Sequence, residues 1–186
     1  MDTESPRIAP LPPDERDERT EELLRSLRRS PDGPDLNIFA TLARHPRLLK
    51  RWSAFGGTLL YRGELDPRDR ELLILRTAAN CGADYEWGQH AVIGVDAGLT
   101  AEEVRRCADP IEIGEWGDDD AVLLRAADEL HRDARIGDTT WSALATRYSD
   151  AQLLELCMVV GQYHLVAFTL NSAGVQREPG IDGLPS

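Results

Sequence analysis

Apolar positions recur at helical spacing along almost the whole chain, and no stretch carries strand signals. Asp14 is placed to cap a charged helix running to about Arg29, with Leu23, Leu24 and Leu27 on one narrow face, before SPDGPD breaks the chain. Leu36, Ile38, Phe39 and Leu42 predict a short helix. Pro46 then opens another carrying Leu48, Leu49, Trp52, Phe55, Leu59 and Leu60, with His45 in the bend as a cap or surface residue. Asp66-Pro67 pairs a cap with a proline at the first helical position, ahead of Leu72, Leu73, Ile74, Leu75, Ala78 and Ala79. After Asn80, Cys81 and Gly82, Asp84 is read as the cap of a helix from Tyr85 to Ala97 that stops at Gly98. Thr100 and Glu103 form a capping box, and GEWGDDD supplies a loop and an acidic helix start leading to Val122, Leu123, Ala126, Ala127 and Leu130. His131 closes that helix in a solvated or capping role. Beyond Gly137 come a helix with Trp141, Leu144, Ala145 and Tyr148, a second capping box at Ser149 and Gln152, and a last helix from about 151 to 173 ending at Gly174. The fold class predicted is all-α, a single-domain packed helical bundle.

Polar residues inside these apolar patterns mark the candidate chemistry. Glu71 lies on a helix that is apolar on most faces, so its carboxylate must be paired, hydrogen-bonded or protonated; a salt bridge to Arg68 or Arg76 is the ordinary solution. Glu86 and His90, four residues apart, share a helix face, with Trp87, Ala91 and Gly94 on an adjoining one. Taken alone such a pair is commonly a surface interaction, but Glu71, Cys81 and Tyr85 lie close by in sequence. The last helix is apolar around nearly its whole circumference, which predicts a central or interface helix. Its polar members Glu155, Gln162, Tyr163, His164 and Asn171 therefore need partners, and Tyr163 and His164 are read as pocket-lining residues.

Composition narrows the function classes. With 186 residues, 41% hydrophobic and 29% charged, the chain has material for one ordinary core. A formal charge of -12 argues against a nucleic-acid partner or an anionic membrane surface, both of which reward clustered Lys and Arg. No apolar run is read as a membrane span and the N-terminus lacks signal-peptide features, so the expected location is cytoplasmic. Residues 1–13, with Pro6, Pro10, Pro12 and Pro13, are read as an extended tail laid over a neighbouring subunit, and residues 14–186 as the domain. Cys81, Cys107 and Cys157 show neither CxxC nor clustering, which argues against a disulfide framework or a zinc site.

The stretch ELLILRTAANCGADYEWGQH, from Glu71 to His90, resembles the carboxymuconolactone decarboxylase family, whose superfamily includes the thiol-dependent peroxidases of the alkyl hydroperoxide reductase D-like type. The likeness extends more loosely over about residues 36–176, through NIFATLARHP and GQYHLVAFTLN. In the peroxidase branch a helix glutamate, a CxxC and a histidine form a proton relay to a redox thiol. Glu71 and His90 match the glutamate and the histidine, but Ala83 and Glu86 stand at the two cysteine positions. Cys81 precedes the first of those positions and is not carried over as a redox cysteine, so the pattern looks more like the decarboxylase-type branch.

The resemblance implies packed helices, a homo-oligomer such as a trimer or hexamer, and neither metal nor organic cofactor in decarboxylase members. It implies a cofactor-independent lyase or isomerase acting on a small, enolisable and carboxylated lactone or keto acid. Glu71 and His90 would share the proton work, Tyr85 would donate a hydrogen bond to the enolate, and Arg76, Cys81, Glu86, Trp87, Tyr163 and His164 would surround the substrate. The alternatives are a thiol-dependent antioxidant enzyme using Cys81 and a non-catalytic helical scaffold or ligand-binding subunit.

Overall fold

The structure is a computed structural model that describes residues 5–113 and 115–185. Residues 1–4 of the predicted tail, and Gly114 within GEWGDDD, lie outside the described residues. The architecture is all-α: α1 (Glu18–Leu27), α2 (Asn37–Leu42), α3 (Pro46–Tyr61), α4 (Pro67–Asn80), α5 (Asp84–Asp96), α6 (Ala101–Arg106), α7 (Asp118–Asp133), α8 (Asp138–Leu144) and α9 (Asp150–Ala173), with short 3₁₀ turns at Pro13–Glu15 and Ile111–Ile113.

Helix α4 is the axle, packed by α5, α7 and α9. Every residue from Asp69 to Ala78 is buried, and Leu72, Leu73, Ile74 and Leu75 are fully so. Each of these four contributes about 1.5–3 kcal/mol of transfer free energy, which is why a helix with little amphipathic character is stable only here. Asp66 caps it by accepting from Arg68 N at 2.9 Å. At the other end the amides of Gly82 and Ala83 donate to the carbonyls of Ala79 (3.1 Å) and Ala78 (2.8 Å), the paired bonds of a Schellman motif. That motif requires a left-handed residue, and Gly82 supplies it at φ +56°. The chain is thereby turned at once into α5, which lies back along α4; a Cβ on Gly94 would come within 3.3 Å of Leu75 Cδ1, a measure of how closely the two helices approach.

Several sequence expectations change at this level. The first helix begins at Glu18, capped by Asp17 rather than Asp14, because Pro13 and Asp14 are used in a 3₁₀ turn. Asp84 is the first residue of α5, with its carboxylate held by Leu184 N at 2.8 Å and by Arg177 at 2.7 Å, so it fastens the C-terminal segment instead of capping the helix. The described part of the proline-rich tail lies over its own chain: the amides of Arg7 (2.8 Å) and Ile8 (3.1 Å) donate to Ala173 O, and Leu11 packs against the cluster of Leu24, Ala43 and Leu49.

Helix α9, with 24 residues and a mean hydropathy of 1.6 in its most apolar window, is long and apolar enough by composition to cross a membrane, contrary to the reading of the apolar runs. Half of that window is buried within the chain, as in a core helix. Its other face leaves Leu154, Met158, Leu165 and Phe168 exposed at intervals of three, four or seven residues.

Candidate active site

Glu71 on α4 and His90 on α5 meet because the tight turn at Gly82 folds the two helices back on one another. His90 Nδ1 lies 2.7 Å from Glu71 Oε2, and Glu71 is completely buried. The other carboxylate oxygen, Oε1, accepts from Arg70 Nε at 3.0 Å and also faces its Nη2 at 3.0 Å. The partner arginine is thus Arg70, not Arg68 or Arg76. Arg68 is taken by Asp120 and Glu103, and Arg76 by Asp128 (2.6 Å and 2.8 Å) and by the carbonyls of Cys107 and Asp109.

With Glu71 accepting at Nδ1, the proton there is fixed, and Nε2 is the nitrogen of His90 left for chemistry. Tyr163 meets the imidazole edge-on, with ring centroids 4.8 Å apart, and holds its plane. His90 lines a cavity of about 500 Å³, walled by Tyr85, Glu86, Gln89 and Ile93 of α5, Gln162, Tyr163, Val166 and Leu170 of α9, Trp52, Gly56 and Leu60 of α3, and the segment from Ser26 to Phe39. This size suits a small-molecule ligand.

Glu86 is the unusual group on that wall. Its residue exposure is 2%, and neither carboxyl oxygen has a hydrogen-bond partner among the described residues. Burial pushes its carboxyl well above the ordinary range, which favours the protonated form. The indole Nε1 of Trp52 on the same cavity is likewise buried without a partner among the described residues. Orphaned polar groups on a cavity wall of this kind are satisfied by water or by a ligand.

Tyr85 lines the cavity, but its single hydroxyl proton goes to Glu178 Oε1 at 2.7 Å, while its oxygen accepts from Ile38 N at 3.3 Å. Burial and the carboxylate of Glu178 both push this phenol upward. The enolate-donor role expected of Tyr85 therefore has no free proton behind it. Glu178 also receives Asn37 N at 2.8 Å and Gln89 Nε2, so a residue of the C-terminal segment ties α2 and α5 together beside the cavity. Nothing in its proline- and glycine-flanked surroundings announces that role in the sequence.

The remaining predicted residues divide. Tyr163 and Glu86 line the cavity; Arg76, Cys81, Trp87 and His164 do not. Arg76 is consumed by the pairing with Asp128, and Trp87 is packed into the main core. Cys81 and His164 come together on another side of the molecule, where Cys81 Sγ lies 3.9 Å from His131 Nδ1 and His131 Nδ1 lies 2.8 Å from His164 Nε2. Burial pushes the Cys81 thiol up to about 11. A cation the sequence reading did not single out is Arg29, which lines the cavity and donates to Gln89 Oε1 at 2.6 Å, while its neighbour Arg28 is held by Asp35 and Glu21.

Residues 46–129 match the model of the carboxymuconolactone decarboxylase family. That span contains Glu71, Glu86 and His90. Among curated proteins none matches the chain. Among solved structures, the alkylhydroperoxidase AhpD core of an uncharacterized peroxidase-related protein from Ralstonia eutropha JMP134 superposes with a TM-score of 0.77 at 17% identity, covering 91% of this chain and 87% of that one. A peroxidase-related protein from Silicibacter sp. TM1040 gives 0.76 at 15% identity, with 97% and 93% covered. A variant of the debrominase Bmp8, in complex with 2,3,4-tribromopyrrole, gives 0.72 at 14% identity, with 92% and 91% covered.

Proposed function

We propose that this chain, whose residues 46–129 match the carboxymuconolactone decarboxylase family and whose fold is that of the AhpD-like structures, is a cofactor-independent lyase or isomerase working by proton transfer on a small, enolisable, carboxylated lactone or keto acid. The observation that carries this reading is the conjunction of a buried Glu71–His90 pair at 2.7 Å with a buried Glu86 on the same cavity, whose carboxyl has no hydrogen-bond partner among the described residues. A base held by a carboxylate and an acid whose protonated form is favoured by burial are the two groups that enol chemistry needs.

In a decarboxylation the bond from the α-carbon to the carboxylate breaks, carbon dioxide leaves, and the electron pair moves onto the neighbouring carbonyl oxygen. Glu86 donates its hydrogen bond to that developing enolate. His90, as imidazolium, passes the Nε2 proton to the carbon, and Glu71 holds Nδ1 and the ring through the transfer. In an isomerisation the neutral ring takes the proton first. Arg29 replaces Arg76 as the cation for a substrate carboxylate.

The thiol-dependent reading lacks support from the site. Ala83 and Glu86 occupy the positions of the peroxidase cysteines, and Cys81 is a raised-pKa thiol facing histidines. The exposed Leu154, Met158, Leu165 and Phe168 stripe supports association with a second copy of the chain, which light scattering coupled to size exclusion checks.

Incubation with a panel of small β-keto acids and carboxylated lactones, followed by mass spectrometry, tests the proposal. Loss of carbon dioxide, or conversion to an isomer, in at least one substrate is expected. A ligand that is bound and recovered unchanged would leave a binding protein, and dithiol-driven peroxide turnover abolished by Cys81→Ser would establish the thiol reading instead.

A further inference from the structure

Away from the cavity, three helices bring together a thiol and two imidazoles. Cys81 is the C-terminal cap of α4, His131 lies in the last turn of α7, and His164 is in the middle of α9. Their ligand atoms, the Cys81 Sγ and one nitrogen of each histidine, all lie within 4.8 Å of one another. We infer that Cys81, His131 and His164 form a binding site for a thiophilic divalent cation of the zinc class, with three protein ligands and an open fourth position.

The orientation of His164 weighs most. Its Nδ1 lies 2.8 Å from Val160 O, and since a carbonyl can only accept, Nδ1 carries the proton. The Nε2 of a neutral ring is then a bare lone pair, and it is this atom that points at His131 Nδ1, 2.8 Å away. A histidine that donates one ring nitrogen to a backbone carbonyl and presents the other to neighbouring donors is oriented as metal-ligating histidines are. Cys81 is held in place as well, because Asn171, two turns beyond His164 on α9, donates its Nδ2 to Cys81 O at 3.0 Å.

The dimensions fit after small adjustments. Bond lengths of about 2.3 Å to sulfur and about 2.0–2.1 Å to nitrogen put tetrahedral ligands about 3.3 Å apart for two nitrogens and about 3.6 Å for nitrogen and sulfur. The two imidazoles, at 2.8 Å, must open by about half an ångström, and the sulfur, at 3.9 Å from His131 in a cluster whose ligand atoms lie within 4.8 Å of one another, must draw in by about 0.3 Å toward His131 and by up to about 1.2 Å toward His164. Both changes are within side-chain rotation. On binding, the proton between the histidines moves to the exposed Nε2 of His131, and the thiol proton is released to solvent. One thiolate with two imidazoles favours zinc over calcium or magnesium, whose ligands are oxygens. The ion would staple α4, α7 and α9 at one point.

Calorimetric titration of the chelator-treated full-length protein with zinc chloride tests the inference. One site per chain is expected, together with a rise in Tm on zinc addition, and cobalt(II) should show thiolate charge-transfer and tetrahedral absorption bands. Cys81→Ser and His164→Ala should each weaken zinc by at least about 100-fold and remove the cobalt spectrum, whereas Cys157→Ser should bind as the parent does. His131→Ala, at an exposed position, gives the same test with little risk to folding. No saturable binding, or zinc bound as tightly by Cys81→Ser as by the parent, would overturn it. Neither outcome depends on the reaction in the cavity.

Discussion

Among the buried charged residues of helix α4, which include Asp69 and Arg70 as well, Glu71 and Arg76 have opposite fates. Arg76 spends every donor shown on its own protein: Asp128 takes two, and the carbonyls of Cys107 and Asp109 take Nη1. Glu71 is also fully bonded, through Arg70 and His90, but one of its partners, His90, lines a cavity. A buried charge closed on itself is structure. One that passes its field through a histidine to a cavity, beside an acid with no hydrogen-bond partner among the described residues, has the form of a reactive group.

The severest perturbation lies at the closed end. Arg76→Ala should cost about 3 kcal/mol of stability, since it leaves Asp128 with only the amide of Asn80 and takes the guanidinium from two carbonyls, while turnover per folded molecule stays unchanged. Chemical denaturation alongside an activity assay reads both. A loss of specific activity in folded protein would move Arg76 back to the substrate.

At the open end, Glu86→Ala should lower kcat by about 10²-fold, the cost of removing one preorganised donor to an oxyanion, and Glu86→Gln should retain most of the rate because an amide still donates. Stability should respond with a definite sign. A carboxyl raised by folding above its ordinary value of 4.5 binds more protons in the native than in the unfolded state, so stability is full below that value and falls as pH rises toward the folded pKa. Glu86→Gln should remove that slope, and urea titrations between acid and neutral pH will show whether it does. Parallel pH profiles for parent and variant would mean that Glu86 is already ionised.

A smaller effect is expected at Tyr85→Phe. It breaks the bonds to Glu178 and Ile38 and should cost about 0.5–1.5 kcal/mol, with only a minor change in rate, because the proton of Tyr85 serves Glu178. A rate loss as large as that of Glu86→Ala would return the donor role to the phenol.

Much of the fold was legible because its signals are local. The capping boxes at Thr100 and Ser149 and the Asp66-Pro67 start form where the residue pattern places them, since each is closed within four residues. The Glu71–His90 contact was legible for a related reason: one tight turn joins their helices. The partner of Glu71 was not, because helical spacing favours residues three or four apart, and the long side chain of adjacent Arg70 reaches the carboxylate regardless. Glu178, and the meeting of Cys81 with His131 and His164, depend on tertiary packing between segments far apart in the chain, where no spacing rule operates.

Above all, Glu71 and His90 should move a proton as one unit. Deuterium incorporation at the α-carbon of an enolisable keto acid in heavy water, followed by NMR, reads that unit directly in the parent, Glu71→Gln, His90→Gln and the double variant, with circular dichroism to confirm folding. Each single variant is expected to lose about 10²-fold or more of the exchange rate, and the double variant to lose little beyond either, since groups acting together are not additive. Near-parental exchange in a well-folded Glu71→Gln protein would contradict the shared-proton mechanism.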